Sequence, residues 1–204
     1  MRKILACLTI GVACAAPRDL PPVDSTPVAP TVAADTVIER PDSVAARVVA
    51  ALKARDIPAL ADLTHPARGI RFTPYTHVDT AADQRLAREE LLARWERPDS
   101  LLWGSYDGSG EPMRLSMRQY FDRFVHDFDV AASPRVARDS APMGVGNSLY
   151  NIREVYPDAA IIEFNTPGTD PRYGGMDWRS LWVVLERTGD RWYLVGLVHG
   201  SWTT

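Results

Sequence analysis

The stretch that most restricts how this chain can fold is its close, Trp178 to Trp202, WRSLWVVLERTGDRWYLVGLVHGSW. It reads as two long apolar strands joined at Thr188-Gly189-Asp190, a turn signal between hydrophobic runs. Four of the six tryptophans fall here, and the second strand runs out on a histidine, His199. Alternation along that strand places Tyr193, Val195, Leu197 and His199 on one face and Trp192, Leu194, Gly196 and Val198 on the other.

A strand pair this apolar needs a core to cover it. The chain has 204 residues and is 46% hydrophobic, enough for one ordinary domain with additional segments. The formal net charge is −3. Without Arg2 and Lys3 it is −5, and Lys53 is then the one remaining lysine. No basic cluster survives, which argues against a nucleic-acid partner. The two cysteines, Cys7 and Cys14, both lie near the start, so the domain itself has no thiol for a disulfide, a nucleophile or a metal site.

The N-terminus is patterned for export. Arg2-Lys3 precedes an apolar run, Ile4 to Val12, which is too short to span a bilayer and suits a signal-peptide core. Gly11-Val12-Ala13-Cys14 resembles a bacterial lipobox, in which the cysteine is lipidated and becomes the first mature residue. Residue 11 departs from the usual leucine. Cleavage after Ala13-Cys14-Ala15 by ordinary signal peptidase competes with this, as does an uncleaved anchor. Residues 15–41 hold six prolines among Ala, Thr, Val and Asp, the composition of a semi-rigid solvated spacer. The expected organisation is a leader over 1–14, a linker over 15–41 and a domain over 42–204. The expected location is the membrane surface, facing periplasm or exterior, through lipid on Cys14.

Within the domain, Asp42-Ser43 offers an N-cap. Val44, Val48, Ala51 and Leu52 fall on one helical face that breaks near Arg55-Asp56. Asp56 can cap a second short helix that ends at His65-Pro66. A strand over Ile70–Tyr75, a helix over Arg88–Trp95 and a strand over Leu101–Tyr106 follow. Ser116 and Gln119 form a capping box opening a helix to about His126. A loop to about Gly144, a strand over Ser148–Ile152, a strand over Ala159–Phe164 and a loop over Asn165–Asp177 lead to the closing hairpin. Helices first and strands after predict an α+β fold with an antiparallel sheet.

These elements resemble the NTF2-like (SnoaL-like) fold. Asp56, Ala59, Leu60, Leu63, His65 and Pro66 match its opening helix pair, and Gly189, Trp192, His199 and Ser201 match its close. HPARGIRFTPYTHVD, WGSYDGSGEP, YFDRFV and FNTPGTDPRYGGMDWRSLWVV resemble a group of bacterial lipoproteins over most of 42–204. The resemblance implies a bent sheet wrapped around the N-terminal helices, forming a cone whose concave polar residues bind or react. It does not choose among enzymes, carriers and binding modules.

The candidate site residues follow from that geometry. His199 is the candidate base, with Asp177 or Glu163 as the acid partner that would set its tautomer. Arg71, Tyr75, Tyr173, Trp178 and Arg179 are candidate ligand contacts, Arg179 pairing with Asp177 or an anion. Each also has a plain structural reading: a strand-end histidine, a solvent-facing glutamate, a loop-anchoring ion pair, rim packing. His77 and Asp79 lack a third ligand, so no metal is expected, and no cofactor motif is present. Trp103, Tyr106 and the turn 107–110 have the composition of a carbohydrate contact. Asp127 and Asp129, either side of Phe128, are too sparse for a calcium loop. The expected function is binding of a small molecule or an envelope partner without catalysis. The alternatives are an acid–base enzyme using His199 and a scaffold that pairs as a homodimer.

Overall fold

The computed structural model describes residues 39–144, 146 and 149–202. The leader, Cys14 and most of the linker lie outside the described residues. The chain divides between Thr36 and Val37, and every described residue belongs to the second unit.

Helix α1 spans Pro41–Ala54. It starts one residue before the predicted cap: Arg40 is extended at the N-cap, and Pro41 takes the first helical position, where its missing N–H costs nothing. Asp42 then complements the positive end of the helix. Val44, Val48 and Leu52 are fully buried along one face. The helix stops at Arg55, which adopts a left-handed conformation (φ 53°), while the Asp56 N–H returns to the Ala51 carbonyl at 2.9 Å. Asp56 caps α2 (Ile57–Leu63) by accepting from the Ala59 N–H at 2.9 Å, as its sequence position predicts.

Six strands form one open, bent sheet in the order β2-β1-β8-β7-β6-β5. They are β1 (Ile70–Thr73), β2 (Gln84–Leu86), β5 (Arg135–Arg138), β6 (Ala160–Thr166), β7 (Arg179–Thr188) and β8 (Arg191–Ser201). A small two-stranded sheet pairs β3 (Leu101–Ser105) with β4 (Pro112–Leu115). The architecture is therefore α+β, with β8 central. One pairing departs from the expected antiparallel sheet: β1 runs parallel to β8, with Phe72 opposite Leu197. The two-residue turn forces β7 and β8 antiparallel. No hairpin links β1 to β8, so nothing in the connection fixes that direction.

The inner face packs against α1, α2, α3 (Arg88–Glu96) and α4 (Met117–Tyr120), with Phe72, Trp103, Tyr120 and Phe121 filling the centre. Trp103 and Tyr120 stack at 3.8 Å, and Phe72 meets both edge-on at 5.9 Å. The outer face is also covered: Trp182, Val184, Val195 and Val198 pack under Tyr150, Tyr156 and α5 (Ile152–Val155). Burial on both sides explains why β7 and β8 read as nearly continuous apolar runs.

Three further predictions meet corrections. Among the described residues, 149–151 are irregular and Ile152–Val155 is helical, so the strand over 148–152 is not formed. Tyr150 and Ile152 pack down onto the outer sheet face instead of pairing at an edge, while Leu149 is exposed. The loop to Gly144 contains strand β5, whose short sequence RVAR has too few apolar residues to announce itself. In β8 a bulge between the pairs Val184–Gly196 and Leu185–Leu194 inserts Val195. The two-residue alternation slips there, so Leu194 joins Leu197 on the inner face while Val195 turns outward with Val198.

Candidate functional site

His199 lies on the inner face near the end of β8, opposite Leu181, and is 4% exposed. Its Nδ1 is 2.9 Å from the Pro74 carbonyl, which can only accept, so Nδ1 carries a proton. Its Nε2 is 3.2 Å from Asp127 Oδ2. Phe124 meets the ring edge-on at 5.5 Å and fixes its plane.

Asp127 follows a π-helical turn, Phe121–Val125, that continues α4. Its carboxylate also accepts from Arg179 Nε at 3.0 Å. Arg179 opens β7, and its Nη1 donates to the Trp178 carbonyl at 2.9 Å. These groups line an open cavity of about 700 Å³ at the end of the closing hairpin, with Tyr75, Arg123, Asp107 and Trp202 on its other walls. The Asp107 backbone N–H donates to the Tyr75 hydroxyl at 3.0 Å. Burial is the main cause that raises the Tyr75 hydroxyl above its ordinary range.

Of the candidates from sequence, this pocket brings together His199, Tyr75 and Arg179. The others lie elsewhere. Glu163 is on the outer face, paired in register with Trp182 and 2% exposed. It accepts from Ser180 Oγ at 2.6 Å and from the Met143 N–H at 3.0 Å, and burial foremost pushes its carboxyl upward. Asp177 accepts the backbone N–H groups of Asp170 and Thr169 at 3.0 and 3.1 Å, and these bonds hold its carboxyl low. It closes its own loop and pairs with neither His199 nor Arg179. The pairings of His199 with Asp177 or Glu163 and of Arg179 with Asp177 are thus not formed; Asp127 takes both places.

Arg71 spends its Nη1 on the loop carbonyls of Thr80, Asp79 and Asp83, at 3.2 to 3.4 Å. Trp178 is 2% exposed, and its ring lies where a Cβ on Gly144 would sit, 2.4 Å away. Tyr173 is 49% exposed on a 3-10 turn beside Arg172, away from the pocket. His65, part of the matched opening, is structural: Nδ1 accepts the N–H groups of Arg68 and Ala67 at 3.0 and 3.1 Å, and Nε2 meets Thr188 Oγ1 at 3.0 Å.

Sequence reading passed over Asp127 as a partner because 72 residues separate it from His199. Only the turn after α4 brings it across. Asp79 accepts from the Ala81 and Ala82 N–H groups. Among the described residues, no group of three or more His, Cys, Asp or Glu is placed to hold a metal ion, and no helix is long and apolar enough to cross a membrane.

No protein-family model matches the chain, and no curated protein matches it. Among solved structures, a chain from Xanthomonas campestris named as a calcium/calmodulin dependent protein kinase II association domain matches at 13% identity. The match covers 78% of this chain and 81% of that one, with a TM-score of 0.32. The fold described above rests on its own strand order and core.

Proposed function

We propose that this chain is an exported, lipid-anchored NTF2-like domain that binds a small polar molecule in the pocket at the hairpin end and does no chemistry on it. The observation that supports this most is the state of His199. A general base must present a free lone pair to its substrate. Here one nitrogen is held by a backbone carbonyl and the other is covered by Asp127. What faces the open cavity is a set of charged and aromatic groups suited to recognition. Lipid on Cys14 and the proline-rich spacer over 15–41 would hold this pocket a short distance off the membrane.

The second reading is an acid–base enzyme at the same pocket, with Asp127 as the partner of His199. It requires the 3.2 Å Asp127 contact to open so that Nε2 can reach a substrate. Mass spectrometry of molecules that co-purify with the mature protein separates the two. Binding predicts a species that is released unchanged after incubation with the wild type. Conversion by the wild type and not by His199→Ala would make the protein an enzyme. Absence of any bound species, with no thermal shift across a metabolite panel, would sink both.

A further inference from the structure

The pocket carries three carboxylates and two guanidinium groups, and most are already matched. Asp122 pairs with Arg55 at 2.6 Å. Asp127 is shared by His199 and Arg179. Two opposite charges remain. Among the described residues, Arg123 has neither a hydrogen bond nor an ion pair from its guanidinium, which lies 4.7 Å from the Tyr106 ring centroid and 5.7 Å from that of Phe124. The Asp107 carboxylate likewise makes neither a hydrogen bond nor an ion pair among the described residues, although it lies near Tyr75 and its backbone is tied to that hydroxyl.

Stacking on an aromatic face directs a guanidinium without neutralising it. Arg123 stands on the π-helical turn, whose wider coil also brings Asp122 and Phe124 to the cavity wall. Such turns give up regular helix bonding and recur at functional sites. Tyr75, Phe124 and Trp202 add aromatic surface to the same cavity.

We infer that the pocket takes a small zwitterion with an apolar body, of the amino-acid class. Arg123 receives the carboxylate, Asp107 receives the ammonium, and the body lies along the aromatic wall. This rests on the binding function proposed above. A ligand with one charge would engage only one of these groups, so both charges contribute to selection.

Titration calorimetry on the full chain tests this with L-phenylalanine, phenylacetate and phenethylamine. L-Phenylalanine should bind, with each single-charge analogue at least about tenfold weaker, the size expected for one charge-assisted bond. Arg123→Gln should weaken L-phenylalanine to a similar degree and leave phenethylamine unchanged. Asp107→Asn should do the reverse with phenylacetate. Arg123→Lys should recover part of the loss, which separates charge recognition from a folding defect. If phenylacetate binds as tightly as L-phenylalanine and only Arg123→Gln matters, the zwitterion inference falls while pocket binding stands. If no probe binds, the inference falls; if co-purification is also empty, the binding function falls with it.

Discussion

Asp127 and His199 meet at 3.2 Å across the end of the hairpin, with the other nitrogen of the ring on the Pro74 carbonyl. The two residues should therefore be energetically coupled. A double-mutant cycle with His199→Ala and Asp127→Ala, followed by urea unfolding, should give an interaction energy of about 0.5–3 kcal/mol. A value near zero would make the contact incidental and leave Nε2 free to act as a base.

Glu163 fastens the 139–144 segment to the outer sheet face through Ser180 and the Met143 N–H. Glu163→Ala strands both donors and should destabilise by about 1–3 kcal/mol. Glu163→Gln keeps an acceptor and removes a charge that burial disfavours, so it should cost much less. Equal losses in the two variants, measured by denaturant midpoint, would mean that packing rather than hydrogen bonding decides at this position.

Asp83 and His65 should tilt the pH profile in opposite directions. Burial, its largest cause, pushes the Asp83 carboxyl up from 3.8 to about 6, although Thr73 Oγ1 donates to it at 2.6 Å. A carboxyl raised in the folded state makes stability fall as pH rises from about 4 to about 6. Asp83→Asn should flatten that span. His65 is lowered from 6.5, mainly by burial, so its contribution is present above that value and lost as pH falls below it. His65→Gln should remove that acid-side slope. Thermal melts between pH 4 and 8 read both, and an unchanged profile in either variant would contradict the assigned group.

Lipid attachment at Cys14 predicts that the cells incorporate labelled fatty acid into the protein and that it fractionates with membranes. Cys14→Ser should abolish the label and release the chain. Label retained in Cys14→Ser, or a wild-type N-terminus beginning after Ala15 without lipid, would place the protein among plainly secreted ones.

The elements legible in the sequence were those whose signals are local. The capping box is one: Gln119 N–H donates to Ser116 Oγ at 3.3 Å, and Ser116 N–H donates back to Gln119 Oε1 at 2.8 Å. The Asp56 cap and the turn at Gly189 are likewise written in three or four neighbouring residues. Strands β2 and β5 were not legible, because three or four residues at a sheet edge carry no periodic pattern. For the candidate site, His199, Tyr75 and Arg179 could be nominated from their places at strand ends.

By itself, then, the sequence determined an α+β domain closed by an apolar hairpin, since apolar runs and caps act through nearest neighbours. Tertiary structure alone decided what His199 faces. The bulge at Val195 sets which β8 side chains share its face, the turn after α4 carries Asp127 across to it, and Glu163 is left on the other side of the sheet. Those outcomes depend on pairings between residues far apart in the chain, and no local spacing encodes them.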